Sequence, residues 1–132
     1  LRDRLSAIFA PEFVRAQLPL VVDSLNEPEP DLVVTTRPRR DFRFAHPEAE
    51  DVRLVVEIAH TSRREDTSGK AALYARQQIG DYWVLDGERR ALVVFREPAD
   101  GAYRSVVSYS EDESISPLAA PEASVRVGDL LP

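Results

Sequence analysis

The run Val52-Arg53-Leu54-Val55-Val56-Glu57-Ile58-Ala59 is rich in β-branched residues and reads as a strand. Close behind it, Ser62-Arg63-Arg64-Glu65 has the capping-box pattern, in which the serine oxygen accepts one orphan backbone N–H and the glutamate reaches back to another. A helix is therefore expected to start there and run to about Ile79, with Gly80 as its left-handed stop. Tyr82 to Leu85, Ala91 to Arg96 and Tyr103 to Tyr109 follow as strands, with Asp86-Gly87 and Asp100-Gly101 as the turns between them. Ahead of this unit lie an amphipathic helix over residues 1–10, ended by Pro11, and strands at Leu18 to Val22 and Asp31 to Thr36, parted by a loop with two prolines. Residues 37–51 mix charge with proline and read as an exposed excursion, and a short strand at Val125 to Val127 precedes the final turn. This order of elements predicts a mixed α/β domain.

At 132 residues the chain fits one domain, 1–132, with one hydrophobic core. It begins at Leu1 without an initiator methionine, so it is expected to be a piece of a longer protein whose N-terminal part is missing. No apolar run approaches the roughly 18–20 residues a membrane helix needs, and the cytoplasm is the default location. The absence of cysteine excludes a disulfide framework, a thiolate zinc site and a cysteine nucleophile. A net charge of −6 has the wrong sign for holding nucleic acid by bulk attraction, so any phosphate binding must be local. The basic residues comprise sixteen arginines and a single lysine, Lys70. Where arginine is used so freely, a lone lysine suggests a task for a compact ammonium on a flexible stem.

Three residues converge on chemistry. Glu57 is a carboxylate in a strand otherwise suited to full burial, which is costly unless a cation or hydrogen bonds compensate. Asp31 opens a strand after Pro30, and Lys70 lies in the helix that follows Glu57. Two carboxylates and a backbone carbonyl make a hard oxygen site suited to Mg²⁺ or Mn²⁺, and a lysine beside it can orient water and offset charge. The plain alternative is that Asp31 caps a turn, Glu57 sits on a half-exposed face and Lys70 is solvated. Along the helix, Asp66, Lys70, Tyr74 and Gln77 or Gln78 recur at three- or four-residue intervals as a polar stripe, beside an apolar one at Ala72, Ala75 and Ile79.

Glu29-Pro30-Asp31-Leu32-Val33-Val34, Leu54 through Ala59, Asp66 through Lys70 to Tyr74-Ala75-Arg76, and Ile79-Gly80-Asp81-Tyr82-Trp83-Val84-Leu85-Asp86 together resemble the Uma-type restriction endonucleases, a branch of the PD-(D/E)xK nuclease superfamily. The resemblance covers about residues 18–110. It implies a restriction-endonuclease-like core, a mixed β-sheet flanked by helices, carrying a divalent-metal phosphodiesterase site. Asp31 and Glu57 would then bind the metal with the main-chain carbonyl of Ile58. The superfamily lysine usually stands two residues after the glutamate, where this chain has Ala59. The Uma-type branch is similar to this sequence in taking its lysine from the next helix, which gives Lys70 the role, with Asp66 and Tyr74 in support.

The first functional expectation is thus a Mg²⁺- or Mn²⁺-dependent endonuclease acting on DNA, with a metal-bound water as nucleophile. The alternative is a non-catalytic module that keeps the nuclease fold to bind nucleic acid or a protein partner. A homodimer is expected, through a sheet edge of the aromatic meander. His60, Tyr82 and Trp83 read as a loop residue and two packing residues, and the arginines of 37–43 as either a phosphate grip or a solvated loop.

Overall fold

A computed structural model describes residues 1–17, 19–21, 28–59 and 64–131, with the side chains of 64–68 outside that description. The capping box, with Ser62 and Arg63, and His60 also lie outside the described residues.

Six strands form one mixed sheet in the order β1 (Val14–Ala16), β2 (Leu32–Thr35), β3 (Val52–Ala59), β4 (Asp81–Asp86), β5 (Ala91–Ala99) and β6 (Ala102–Ser110). Four neighbouring pairs run antiparallel; β3 and β4 run parallel. That parallel step requires a crossover, and α2 (Arg64–Arg76) makes it. The return from β5 to β6 is a two-residue turn closed by the Ala99–Ala102 pair, with both Asp100 (φ 54°) and Gly101 (φ 77°) left-handed, as an Asp-Gly hairpin demands.

Each face of the sheet buries its own cluster. On one face, Leu5 of α1 (Arg2–Phe9) and Val127 and Leu130 near the C-terminus pack on Leu32, Val34, Leu54, Val56, Trp83 and Leu85. A two-stranded ribbon of β7 (Ser114–Ile115) and β8 (Val125–Arg126) closes over the same side. On the other face, Tyr74 of α2 joins Leu20, Val55, Ile79, Tyr82 and Val84. Tyr82 is the hub of this second cluster, with ring centroids 4.9 Å from Tyr74 and 5.1 Å from Phe95.

Several elements differ from the sequence reading: β7 was not expected, and the excursion over residues 37–51 buries Phe42 and Asp51. The strand expected over residues 18–22 stands instead at Val14–Ala16. Of the expected segment, Leu20 is buried and Val21 makes one isolated bridge to Glu48, while Leu18 and Val22 are not described. The apolar run signals burial beneath residues 47–48, not membership of a ladder, and Pro19 has no N–H to give one. The end of α2 also differs. The helix closes three residues earlier than expected, with Gln78 at φ 61° and the Ile79 N–H donating to the Tyr74 carbonyl (3.1 Å) and Gln78 N–H to Ala75 (3.0 Å). This is a Schellman closure with glutamine in the position glycine usually holds.

A candidate active site on the α2 face of the sheet

Glu57 sits near the C-terminal end of β3 on the same face as Val55, so its side chain is directed toward α2. It is 6% exposed, which removes the half-exposed alternative. Its Oε2 accepts a hydrogen bond from Lys70 Nζ at 2.8 Å, and Tyr74 Oη donates to Oε1 at 3.3 Å. Lys70 and Tyr74 are one helical turn apart, so α2 delivers both to one carboxylate. Tyr74, on the polar stripe that spacing defined, is fully buried.

Asp31 lies one residue before the Leu32–Val56 pair, which puts it beside Glu57 across the β2–β3 ladder. Its Oδ2 accepts the Ile58 N–H at 2.7 Å. The strand end is thereby tied to the neighbouring carboxylate, and Ile58 itself is 39% exposed. The structure brings Asp31, Glu57, Ile58, Lys70 and Tyr74 together. Asp66 lies within α2, but its side chain is outside the described residues.

Burial holds the Glu57 carboxyl above its usual range, and the nearby Asp31 charge pushes the same way; Lys70 and Tyr74 oppose this without cancelling it. Burial, and then the Glu57 charge, also pushes the Tyr74 hydroxyl upward, so it stays a proton donor to Glu57. A carboxyl raised in the native state binds its proton more tightly than in the unfolded chain. The stability tied to it is complete below the ordinary value of 4.5 and is lost as pH rises through the native value. Glu57→Gln is therefore expected to be more stable than the parent at neutral pH, with the advantage vanishing below pH 4.5. Urea denaturation across that range checks it, and an advantage constant with pH would show that ionisation is not its source. Lys70, about one third exposed, returns to water in this variant.

Sequence reasoning did not reveal the surroundings of two adjacent β4 residues, Tyr82 on the Glu57 face and Asp81 on the other. Tyr82 is fully buried, and its hydroxyl has no hydrogen-bond partner among the described residues. It feels both carboxylates, since after burial the Glu57 and Asp31 charges contribute to its upward shift. Asp81, on the opposite face, is 1% exposed and accepts from Trp83 Nε1 (2.7 Å), Arg96 Nε (2.9 Å) and Leu118 N–H (2.9 Å). Trp83, read as packing, is fully buried above it.

Among the described residues no three His, Cys, Asp or Glu side chains converge. No helix is long and apolar enough to cross a membrane among them.

The family model described as "putative restriction endonuclease", Uma2, matches residues 1–128. Among solved structures the chain is similar to a putative nuclease belonging to DUF820 from Anabaena variabilis ATCC 29413, with TM-score 0.72 and 14% identity, over 97% of this chain and 74% of that one. That likeness carries the fold. No curated protein matches.

Proposed function

The chain belongs to the Uma2 family, and from that premise we propose that it is a metal-dependent endonuclease hydrolysing DNA phosphodiesters at the Asp31–Glu57–Lys70 cluster. Family membership and a nuclease-like fold support a nuclease role. The observation that carries the finer reading is the lone lysine paired at 2.8 Å with a buried strand carboxylate that a second carboxylate also faces.

The donor chemistry fits a hard divalent cation such as Mg²⁺ or Mn²⁺. Two carboxylates and a main-chain carbonyl offer only oxygen, and burial makes ionising Glu57 costly in a way that a cation would relieve. Asp31, Glu57 and the Ile58 carbonyl would hold it. When bound, such a cation supplies Lewis acidity and lowers the pKa of water. The protein's own residues do the rest. Tyr74 and Lys70 fix the two Glu57 oxygens, and the Ile58 N–H fixes Asp31. The Lys70 ammonium orients the attacking water and offsets charge that develops on the phosphoryl oxygens.

The test is nicking of supercoiled plasmid in Mg²⁺ or Mn²⁺ against EDTA, with a thermal melt of the same samples. Metal-dependent nicking and a melting temperature raised by Mn²⁺ are expected. Asp31→Asn should lose both while still folding. A cation present at about a hundred times its Kd raises stability by ~2.7 kcal/mol, a readout independent of turnover. Cleavage indifferent to EDTA would overturn the reading.

A further inference from the structure

The residues between β2 and β3 hold most of the chain's concentrated positive charge. Arg37, Arg39, Arg40 and Arg43 all fall within seven positions in a protein of net charge −6. Two of the four are already neutralised: Arg37 by Asp51 (3.0 Å), with Asp41 farther off, and Arg40 by Glu12 (3.7 Å). Arg39 and Arg43 have no carboxylate partner among the described residues, and both are exposed. Beneath them is Arg15 of β1, 6% exposed, with Nε and Nη1 unpartnered among the described residues. Its guanidinium packs on the Phe42 ring at 5.1 Å, and Arg37 packs on the same ring at 4.8 Å. Among the described residues no carboxylate compensates Arg15; the one charge identified beside it is the like charge of Arg39. A desolvated cation next to another cation leaves an outward positive potential that an approaching anion would relieve.

Next to this charge stands an aromatic ring that the fold does not use. Phe44 is 95% exposed, with the Arg43 guanidinium 5.9 Å from its centroid. Arg39 donates one hydrogen bond to the Val14 carbonyl (3.2 Å), which leaves its charge uncompensated among the described residues. A bare phenyl ring beside arginines without a carboxylate partner is the pairing that single-stranded nucleic acid takes, with bases stacking on the ring and phosphates on the cations.

We propose that the Arg39–Phe44 loop, backed by Arg15, is a binding surface for a single-stranded stretch of nucleic acid leading into the cluster at Glu57, a proposal that rests on the nuclease reading above. The register supports the direction. Arg15 pairs with Val33 and Val33 with Val55, so Arg15 and Glu57 project from one face of the sheet. The arginine loop leaves the Thr35 end of β2, while Asp31 precedes its other end. Four residues of strand separate the two, ~13 Å at about 3.3 Å each. That is roughly four stacked nucleotides at 3.4 Å per step.

The experiment is fluorescence anisotropy of the whole chain in EDTA with a labelled single-stranded oligodeoxynucleotide of about twelve nucleotides, within the usual site size of such surfaces. Phe44→Ala is expected to weaken binding by about 5- to 150-fold, the range of one lost base stack. Arg39→Ala should reduce the slope of log affinity against log salt by about 0.7. Arg104→Ala removes the same charge from β6 at the far edge of the sheet and should change the slope less. Thermal melts establish that each variant is folded. If Phe44→Ala and Arg39→Ala bind as the parent does, or Arg104→Ala costs as much, the loop surface is overturned. A parent protein that nicks plasmid but binds no single strand defeats this inference and leaves the nuclease reading intact. One that neither binds nor cuts defeats both.

Discussion

Lys70→Ala is expected to slow phosphodiester cleavage by at least about a hundred- to a thousandfold, the usual cost of deleting one preorganised group that meets developing charge. Folding should survive at some cost. Lys70 is the chain's single lysine and its side chain is about one third exposed, but its loss leaves the buried Glu57 carboxyl with Tyr74 as its remaining side-chain partner among the described residues, so the variant is expected to be less stable than the parent at neutral pH. Its Nζ stands 2.8 Å from Glu57 Oε2, beside the oxygens proposed to hold the cation. Lys70→Arg makes the experiment sharper. A guanidinium keeps the charge but is planar and longer, so it can still pair with Glu57 while failing to place a compact donor next to the phosphate. Loss of rate in both variants, at a temperature where thermal melts show each still folded, would assign the lysine a chemical role. A Lys70→Ala protein that cuts like the parent would remove that role and leave the pair as a structural contact.

The second large effect is on stability. Asp81→Ala is expected to cost about 3–5 kcal/mol, because it strands Arg96 without a counter-charge in a mostly buried site. It also leaves the Trp83 indole N–H and the Leu118 backbone N–H without their acceptor. Against a total of ~5–15 kcal/mol for a domain, that is enough to unfold much of the population at physiological temperature. Urea denaturation with unchanged m would read it directly. The double variant Asp81→Ala/Arg96→Met should recover part of the loss, since removing both charges avoids the uncompensated one. A loss below about 1 kcal/mol for Asp81→Ala would mean that solvent reaches Arg96 readily. Asp81 and Glu57 lie on opposite faces of the sheet, so residual folded Asp81→Ala protein should keep its cleavage chemistry.

These two residues also show what the sequence could and could not reveal. Glu57 was legible because one carboxylate interrupts four strong strand formers, and Lys70 because it has no duplicate. The same signal was present at Asp81, at the head of Tyr82-Trp83-Val84-Leu85, yet its partners lie 15 and 37 residues away at Arg96 and Leu118. Nothing local distinguishes such a network from a strand-capping aspartate. Tyr74 was placed on a polar stripe because its hydroxyl recurs at helical spacing; the ring decides the matter by packing on Tyr82. β3 was legible to the residue since pattern, composition and burial agree along it. The edge strand β1 was missed because Val14-Arg15-Ala16 is short and carries an arginine, while the more apolar stretch after it is held by packing. The end of α2 was misplaced because glycine is only the commonest residue to turn left-handed; here Gln78 does so first.

The hydrogen bond from Ile58 N–H to Asp31 joins two segments of different standing. Glu57, Lys70 and Tyr74 all belong to the continuous β3–α2–β4 stretch, whereas Asp31 arrives on β2, whose outer neighbour is a strand of only three residues. An opening of that thin margin would carry Asp31 away and leave the other three assembled. It would also relieve Glu57 of a nearby negative charge, so the repulsion between the two carboxylates works against that edge. Amide exchange should register this as protection at Ile58 well below that of Val55 or Val56, the same strand breathing at one end and shut at the other.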